Sequence, residues 1–287
     1  MRLFLLTALT MVAFAANSVL NRIALADGWI GPADFAALRL ASGAMALVAL
    51  VYASGGRVPW GMARRPYGAA ALLLYLVGFS FAYVTLDAGV GALILFGGVQ
   101  VTMFAGALWL GERPGPRRWL GAAVAFSGLI WLSWPAGAVR LDPGGVMLML
   151  LGALGWGLYS LLGRGSTAPL PATAANFALA IPVGALVWLA VPDVVAVTWQ
   201  GVVLALLSGV VTSGMGYALW YTVLPQLEAS AAALAQLTVP VIAAAGGALF
   251  LAEVLDARTL ISGALVLAGV AIGSLAPSAR PAPTDRK

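Results

Sequence analysis

Polar and aromatic side chains lie at mid-depth in several long apolar segments, and they are the candidates for chemistry. Gln100 and Gln236 are amides in such segments, and Tyr83 and Trp156 are large aromatic residues. A buried amide needs a partner, which can be a ligand, a water molecule or another helix. Aromatic rings add apolar surface with a polar tip. The candidate binding residues are Asn17, Tyr83, Gln100, Trp156, Tyr159, Tyr217 and Gln236, and the same depth also holds Tyr75, Ser80, Thr102, Thr212, Ser213 and Thr238.

Arg39 is the only ionisable residue well inside an apolar segment. A charge at that depth is a functional candidate by default. One role is a bidentate contact with a substrate carboxylate. The other is structural, with the guanidinium bonded to helix-end carbonyls or to a loop acid such as Asp34 or Asp87.

The absence of other reactive groups excludes several classes of protein. The chain has no His and no Cys, and its ten acids fall at segment ends or in loops. A proton-coupled pump for cationic drugs needs a buried carboxylate, and a phosphate or nucleotide-sugar antiporter needs several buried basic residues. A membrane enzyme needs a nucleophile with its base, or metal ligands. The sequence therefore predicts no metal, no cofactor and no enzymatic activity, and favours a neutral or zwitterionic small molecule as ligand.

The composition predicts an integral membrane protein made of helices. Of the 287 residues 62% are hydrophobic and 9% charged, and the mean hydropathy is +1.00. Uninterrupted apolar runs of about 20 residues span a bilayer as helices. The net charge of +5 is interpreted as basic loops that set topology, and not as a nucleic-acid surface. Ten spans are predicted: Leu3–Ala24, Pro32–Ala53, Gly68–Leu86, Gly89–Leu110, Arg118–Trp134, Gly145–Gly163, Ala172–Val191, Gly201–Tyr221, Ser230–Leu251 and Leu260–Leu275.

An internal repeat divides the spans into two sets of five. The segment Gly89–Glu112 aligns with Ala231–Glu253 at a shift of 141, and Phe14–Arg22 aligns with Trp156–Arg164 at a shift of 142. The predicted units are residues 1–138 and 139–276, followed by a disordered tail at 277–287. Gly97 and Gly98 in the fourth span and Pro240 in the ninth lie at corresponding depth, so we predict helix hinges there beside a central site.

The basic residues predict the orientation. With a cytoplasmic N-terminus, 11 Lys and Arg residues lie inside and three outside, the three being Arg22, Arg140 and Arg258. Both termini are therefore predicted to be cytoplasmic. Because each half has an odd number of spans, the second half runs inverted relative to the first, as in many secondary transporters.

These features resemble the drug/metabolite transporter superfamily, in its branch of ten-helix EamA-type exporters. The resemblance lies in Phe14–Ser18 with Arg22, Trp156–Ser160 with Arg164, Leu38–Leu40 and the paired ends at Glu112 and Glu253. Leu237–Val241 and Gly121–Gly128 also fit. It implies two inverted five-helix bundles around a central cavity, with the fifth and tenth helices peripheral, and it favours the structural role for Arg39.

The implied function is export of amino acids, neutral and aromatic ones included, across the bacterial inner membrane by alternating access. The chain resembles bacterial exporters of aromatic amino acids most. The alternatives are an exporter of drugs or other small metabolites, and a non-transporting receptor or structural subunit with a dry, packed centre. The expected partners are an amino acid and the lipid bilayer, with no nucleic acid.

Overall fold

The computed structural model describes residues 1–61, 65–109, 111, 114–133, 141–163, 166–227 and 235–274. Within these ranges the chain is helical and contains no strand. Ten helices follow one another: α1 Arg2–Ala26, α2 Pro32–Ala53, α3 Arg65–Ala82, α4 Ala88–Trp109, α5 Pro116–Ser133, α6 Pro143–Gly163, α7 Pro169–Ala190, α8 Trp199–Gln226, α9 Thr238–Leu251 and α10 Ala257–Ser274.

The helices follow the predicted spans closely, and the prediction of a multi-pass membrane protein is confirmed. Six of the described helices, α1, α2, α4, α6, α7 and α8, are long and apolar enough to cross a bilayer. Shorter apolar helices cover Pro66–Ala82, Thr238–Leu251 and Ala257–Gly273. Glu112, Arg140, Arg164, Glu228 and the tail at 277–287 lie outside the described residues.

Proline and capping residues set several helix ends. Pro32 and Pro169 occupy the first turns of α2 and α7, where a missing N–H leaves no helical hydrogen bond unmade. The side chain of Thr198 accepts a hydrogen bond from the Gly201 N–H and caps α8. At the end of α9, Ala252 adopts a left-handed conformation with φ 52°, and its N–H bonds back to Gly247.

The helices pack around the centre of the bundle, with α5 and α10 at one side. The helix α3 packs against α6 and α7, α2 against α7 and α8, α4 against α6 and α9, and α1 against α8 and α9. The helices α5 and α10 pack chiefly on each other and on α4. Their contact depends on glycine, since a Cβ at Gly121 would lie 2.5 Å from the Gly269 carbonyl oxygen.

Candidate substrate-binding site

A central cavity lies between α1, α3, α4, α6, α8 and the residues that precede α9. Its wall combines aromatic rings with small polar groups, and the described lining residues include no acidic or basic side chain. The lining residues are Phe14, Asn17, Ser18, Tyr75, Phe79, Leu95, Phe96, Trp156, Thr212, Ser213, Tyr217 and Gln236.

The cavity is contracted. Its volume is about 30 Å³, which is room for water molecules but not for a metabolite, because small-molecule sites commonly measure about 300–1,000 Å³. A metabolite can therefore enter only after the helices around the cavity move apart.

Asn17 of α1 makes several hydrogen bonds on the polar side of the cavity. Its Oδ1 accepts hydrogen bonds from Ser208 Oγ at 2.6 Å and from Thr212 Oγ1 at 3.0 Å, both on α8. Its Nδ2 donates to the Tyr75 hydroxyl of α3 at 3.5 Å. One turn further on, Asn21 Oδ1 accepts from Ser80 Oγ at 3.2 Å. These bonds give buried amides their partners and connect three helices across the centre.

Arg39 of α2 lies directly behind this wall and is fully buried, with 0% of its surface exposed. Its Nε donates to Ser213 Oγ at 3.1 Å and its Nη2 to the Tyr75 hydroxyl at 2.9 Å. Its guanidinium carbon lies 4.9 Å from the centre of the Phe79 ring, a cation–π contact. Neither Asp34 nor Asp87 pairs with Arg39. The guanidinium instead bonds to two hydroxyls that line the cavity.

Trp156 of α6 is the centre of the aromatic wall. Its ring stacks on Tyr217 at 5.3 Å with an interplanar angle of 16°, and on Tyr159 at 5.6 Å and 29°. Tyr75 approaches it at 5.0 Å in a tilted arrangement. On the other side of Tyr217, Phe14 makes an edge contact at 5.9 Å. Rings from α1, α3, α6 and α8 thus form one continuous apolar surface.

The polar residues of α8 lie in a segment of π-helix. The helix is α-helical over Trp199–Leu207, π-helical over Ser208–Met215 and α-helical again over Gly216–Val223. π-Helical turns are rare and occur frequently at functional sites. Gly209 of this segment lies against α2, and a Cβ there would be 2.6 Å from the Arg39 carbonyl oxygen. The close approach brings Ser213 within reach of Arg39.

The structure brings four of the seven predicted binding residues to the cavity wall, namely Asn17, Trp156, Tyr217 and Gln236. Tyr159 lies one layer behind, stacked on Trp156 and hydrogen-bonded to Thr173 at 2.8 Å. Tyr83 lies outside the lining because its ring packs on Phe79 and its hydroxyl donates to the Ala88 carbonyl.

Gln100 also lies outside the lining, one helical turn beyond Phe96 on α4. The neighbouring Gly97 and Gly98 sit within an uninterrupted helix. A Cβ on Gly97 would meet Leu129 of α5, and one on Gly98 would meet Ala153 of α6. The two glycines therefore serve close packing in this state.

Pro240 accompanies a break in the helix. Regular helical structure is interrupted at Leu237, and α9 begins at Thr238. Proline has no N–H for the carbonyl of Gln236, four residues earlier. The interruption thus frees a backbone carbonyl next to a side chain that lines the cavity. Its role as a hinge stays a prediction.

Several lining residues are not among the seven candidate binding residues that the sequence predicts. Nothing in the sequence of an apolar helix marks which ring faces a cavity. The sequence therefore does not distinguish Phe14, Phe79, Leu95 and Phe96 from ordinary core or lipid-facing residues. Ser208, which bonds to Asn17, looked like one more small residue in a helix rich in them.

A cluster of ions joins the helix ends on the side predicted to be periplasmic. Arg22 at the end of α1 donates from Nε to Glu253 at 3.3 Å and from Nη2 to Asp87 at 3.4 Å. Glu253, which follows α9, also accepts from the Ala88 N–H at the start of α4. All nine buried residues of α1 lie at or after Thr10, towards its Arg22 end. Of the twelve buried residues of α4, eleven lie in Ala88–Val99, which is the half nearest the ion cluster. The bundle is therefore tightest near the ion cluster.

Burial is the largest influence on the Glu253 carboxyl, whose side chain is 8% exposed, and it raises the pKa above the ordinary value of 4.5. The Ala88 N–H and Arg22 act in the opposite direction. With a raised folded-state pKa, the unfolded chain loses this proton first as pH rises. The contribution of Glu253 to stability therefore falls as pH rises from about 4.5 through the folded-state pKa.

Glu253→Gln is expected to leave the response of uptake to a pH gradient unchanged, because we predict that no acidic residue of this chain acts as a buried proton carrier. The amide oxygen can still accept from the Ala88 N–H, and the carboxyl lies in a helix-end cluster remote from the cavity lining. The measurement is uptake into vesicles with and without a pH gradient, with Asp256→Asn in the same connection as the matched control. A folded Glu253→Gln protein that binds substrate but no longer responds to the gradient would show that Glu253 carries protons.

A multi-pass helical bundle with polar and aromatic residues around a central cavity is typical of membrane transport proteins. Comparison with known proteins identifies which one: the EamA-like transporter family model matches residues 1–134 and 143–275. The chain belongs to this family, which transports small metabolites across membranes.

Individual relatives agree with this assignment. An uncharacterized protein of Pseudomonas aeruginosa is 49% identical over 272 residues, covering 94% of each chain. An uncharacterized transporter of Archaeoglobus fulgidus is 27% identical over 85% of this chain and 89% of its own. The uncharacterized transporter YwfM of Bacillus subtilis is 27% identical over 88% of each. A crystal structure 19% identical, covering 93% of this chain and 98% of its own with a TM-score of 0.65, has the same fold.

Proposed function

We propose that this transporter exports amino acids, neutral and aromatic ones included, across the bacterial inner membrane by alternating access. The observation that carries the proposal is the cavity wall itself. Stacked rings around Trp156 offer apolar surface, and Asn17 and Gln236 offer neutral polar groups. In the part of the lining that the structure describes, no residue is acidic or basic. Such a wall suits a zwitterion with a variable apolar side chain.

We also infer two inverted repeats of five helices, and the packing pattern supports this. If each helix is replaced by its counterpart in the other half (α1 by α6, α2 by α7, and so on), the α3–α6 contact becomes α8–α1. The α4–α6 contact becomes α9–α1 in the same way. The pairs α2–α7, α4–α9 and α5–α10 map onto themselves. A pseudo-two-fold relation between residues 1–138 and 139–276 accounts for all of these contacts together.

The direction of transport is inferred from the ion cluster and the topology. Arg22, Asp87 and Glu253 close the side predicted to be periplasmic, and burial on α1 and α4 is concentrated near them. Substrate then enters from the cytoplasmic side, and breaking this cluster accompanies its release outward.

The orientation can be measured with fusions. An alkaline phosphatase domain after Lys287 is expected to be inactive, and one inserted after Asp193 in the connection between α7 and α8 is expected to be active, because the distribution of basic residues puts both termini in the cytoplasm. A green fluorescent protein fused at the same positions should give the reverse pattern. Periplasmic activity of the C-terminal fusion contradicts this orientation.

The substrate class is tested in proteoliposomes. Labelled phenylalanine, methionine and threonine are expected to be taken up, and each is expected to compete with the others. The control is the same preparation without protein. Uptake of drugs or other metabolites in the absence of any amino acid transport would favour the alternative function and contradict this one.

Gln236→Ala is expected to weaken amino acid binding by no more than about tenfold, because a neutral buried hydrogen bond is worth about 0.5–1.5 kcal/mol. Gln100→Ala is the matched control, since it removes the same side chain from a position outside the lining. Competition binding to purified protein measures both. An effect of Gln100→Ala equal to that of Gln236→Ala contradicts the placement of the site.

A further inference from the structure

We propose that the hydroxyls of Tyr75 and Ser213, backed by Arg39, form the receptor for the substrate's carboxylate group. The proposal rests on the proposed function and deepens it, because it assigns one chemical group of the substrate to one part of the wall. It predicts that the transporter selects carboxylates over the corresponding amides and amines.

The charge of Arg39 is the first observation. The side chain is fully buried and its Nη1 has no hydrogen-bond partner. Among the residues that the structure describes, no acid pairs with it, since the ion pairs found there belong to Arg22. A buried guanidinium without a counter-charge is costly, and an anion near it recovers part of that cost.

The second observation is the direction of the hydrogen bonds. The Tyr75 hydroxyl accepts from Arg39 Nη2 and from Asn17 Nδ2, and Ser213 Oγ accepts from Arg39 Nε. Each hydroxyl has one proton to donate, and neither donates within the described structure. Both residues line the cavity, so we infer that their hydroxyl protons are available to an acceptor placed there.

These two observations together define the ligand chemistry. Donation from Arg39 polarises both hydroxyls and strengthens the hydrogen bonds that they donate in turn. Two donors held by a cation suit a carboxylate, which accepts without donating. Among the lining residues that the structure describes, none is an acid that could recognise an ammonium group by charge. Recognition therefore depends on the carboxylate end of an amino acid, and Arg39 acts as a positioning residue behind the wall.

The test compares phenylalanine with phenylalaninamide, which has the same size and side chain but no carboxylate. Wild-type protein is expected to bind phenylalanine more tightly. Tyr75→Phe and Ser213→Ala are each expected to weaken phenylalanine binding about tenfold or more, because a hydrogen bond to a charged group is lost. Each is expected to weaken phenylalaninamide binding much less, because the neutral amide oxygen accepts weaker hydrogen bonds than a carboxylate does. Tyr67→Phe and Ser127→Ala, at exposed positions on α3 and α5, are the matched controls.

Binding of the amide also reports whether each variant is folded. If both variants lower the affinity for phenylalanine and its amide equally, the hydroxyls have a structural role only and the proposal is overturned. It is also overturned if neither affinity changes, or if wild-type protein binds the two compounds equally well. Failure of wild-type protein to bind or transport any amino acid would instead refute the proposed function, and the two failures are therefore distinguishable.

Discussion

Trp156→Ala is expected to weaken amino acid binding by at least about 2 kcal/mol, which is about 30-fold in Kd. Trp156 stacks on Tyr159 and Tyr217 and meets Tyr75, so its removal takes away a large surface and frees three neighbouring rings to reorient. The measurement is competition binding with phenylalanine, methionine and threonine. The affinity for phenylalanine should fall most, because its side chain makes the largest contact with the aromatic wall.

Two controls separate binding from folding in this experiment. Trp156→Phe keeps an aromatic ring at the position and is expected to retain most of the affinity. Trp109→Ala removes the same side chain from a site that is 92% exposed on α4, and it should leave binding unchanged. If Trp156→Ala binds every competitor as wild type does while expression is normal, Trp156 does not line the substrate site.

Gly155→Ala is expected to destabilise the protein by about 1–3 kcal/mol, the range for forcing extra atoms into a well-packed contact. A Cβ at this position would lie 2.6 Å from the Tyr75 backbone nitrogen and 2.7 Å from the Ala71 carbonyl oxygen. Both atoms belong to the backbone of α3, so the two helices must separate. The separation also moves Tyr75 away from Trp156 and should weaken substrate binding.

Gly163→Ala is the matched control because a Cβ there meets nothing within 4 Å. Thermal unfolding followed by size-exclusion chromatography in detergent compares the two variants. We expect Gly155→Ala to unfold several degrees below wild type and Gly163→Ala to unfold at the wild-type temperature. Equal unfolding temperatures for the two would contradict the close approach of α3 and α6.

Much of the fold could be predicted because the bilayer imposes it. Ten apolar segments of near-constant length correspond to ten helices, and the predicted bounds of α2 agree at both ends. The shift between Phe14–Arg22 and Trp156–Arg164 predicts two halves from residue identities alone, and this division stays a prediction. For the ninth span, the predicted start at Ser230 lies outside the described residues. Ala235 and Gln236 are helical, and α9 begins at Thr238 after an interruption at Leu237.

The site was harder to predict because depth does not determine direction. Gln100 and Tyr83 lie at suitable depths, but the rotation of α4 and the packing of Tyr83 on Phe79 turn them away from the cavity. Arg39 was expected to be structural, with carbonyls or loop acids as partners. Its bonds to Tyr75 and Ser213 depend on contacts between α2, α3 and α8, which no local sequence pattern reports.

The π-helical segment of α8 rotates the side chains that follow it about the helix axis, compared with a regular α-helix. An α-helical residue turns the chain by about 100°, and each π turn takes up about one residue more than an α turn. A helical wheel drawn through Trp199–Gln226 with uniform α geometry therefore assigns Tyr217 and Trp220 to the wrong face. Reversion of Ser208–Met215 to α geometry would rotate Tyr217 away from Trp156 without unwinding the helix. The eight π-helical residues thus set the direction in which the side chains of the second half of α8 point.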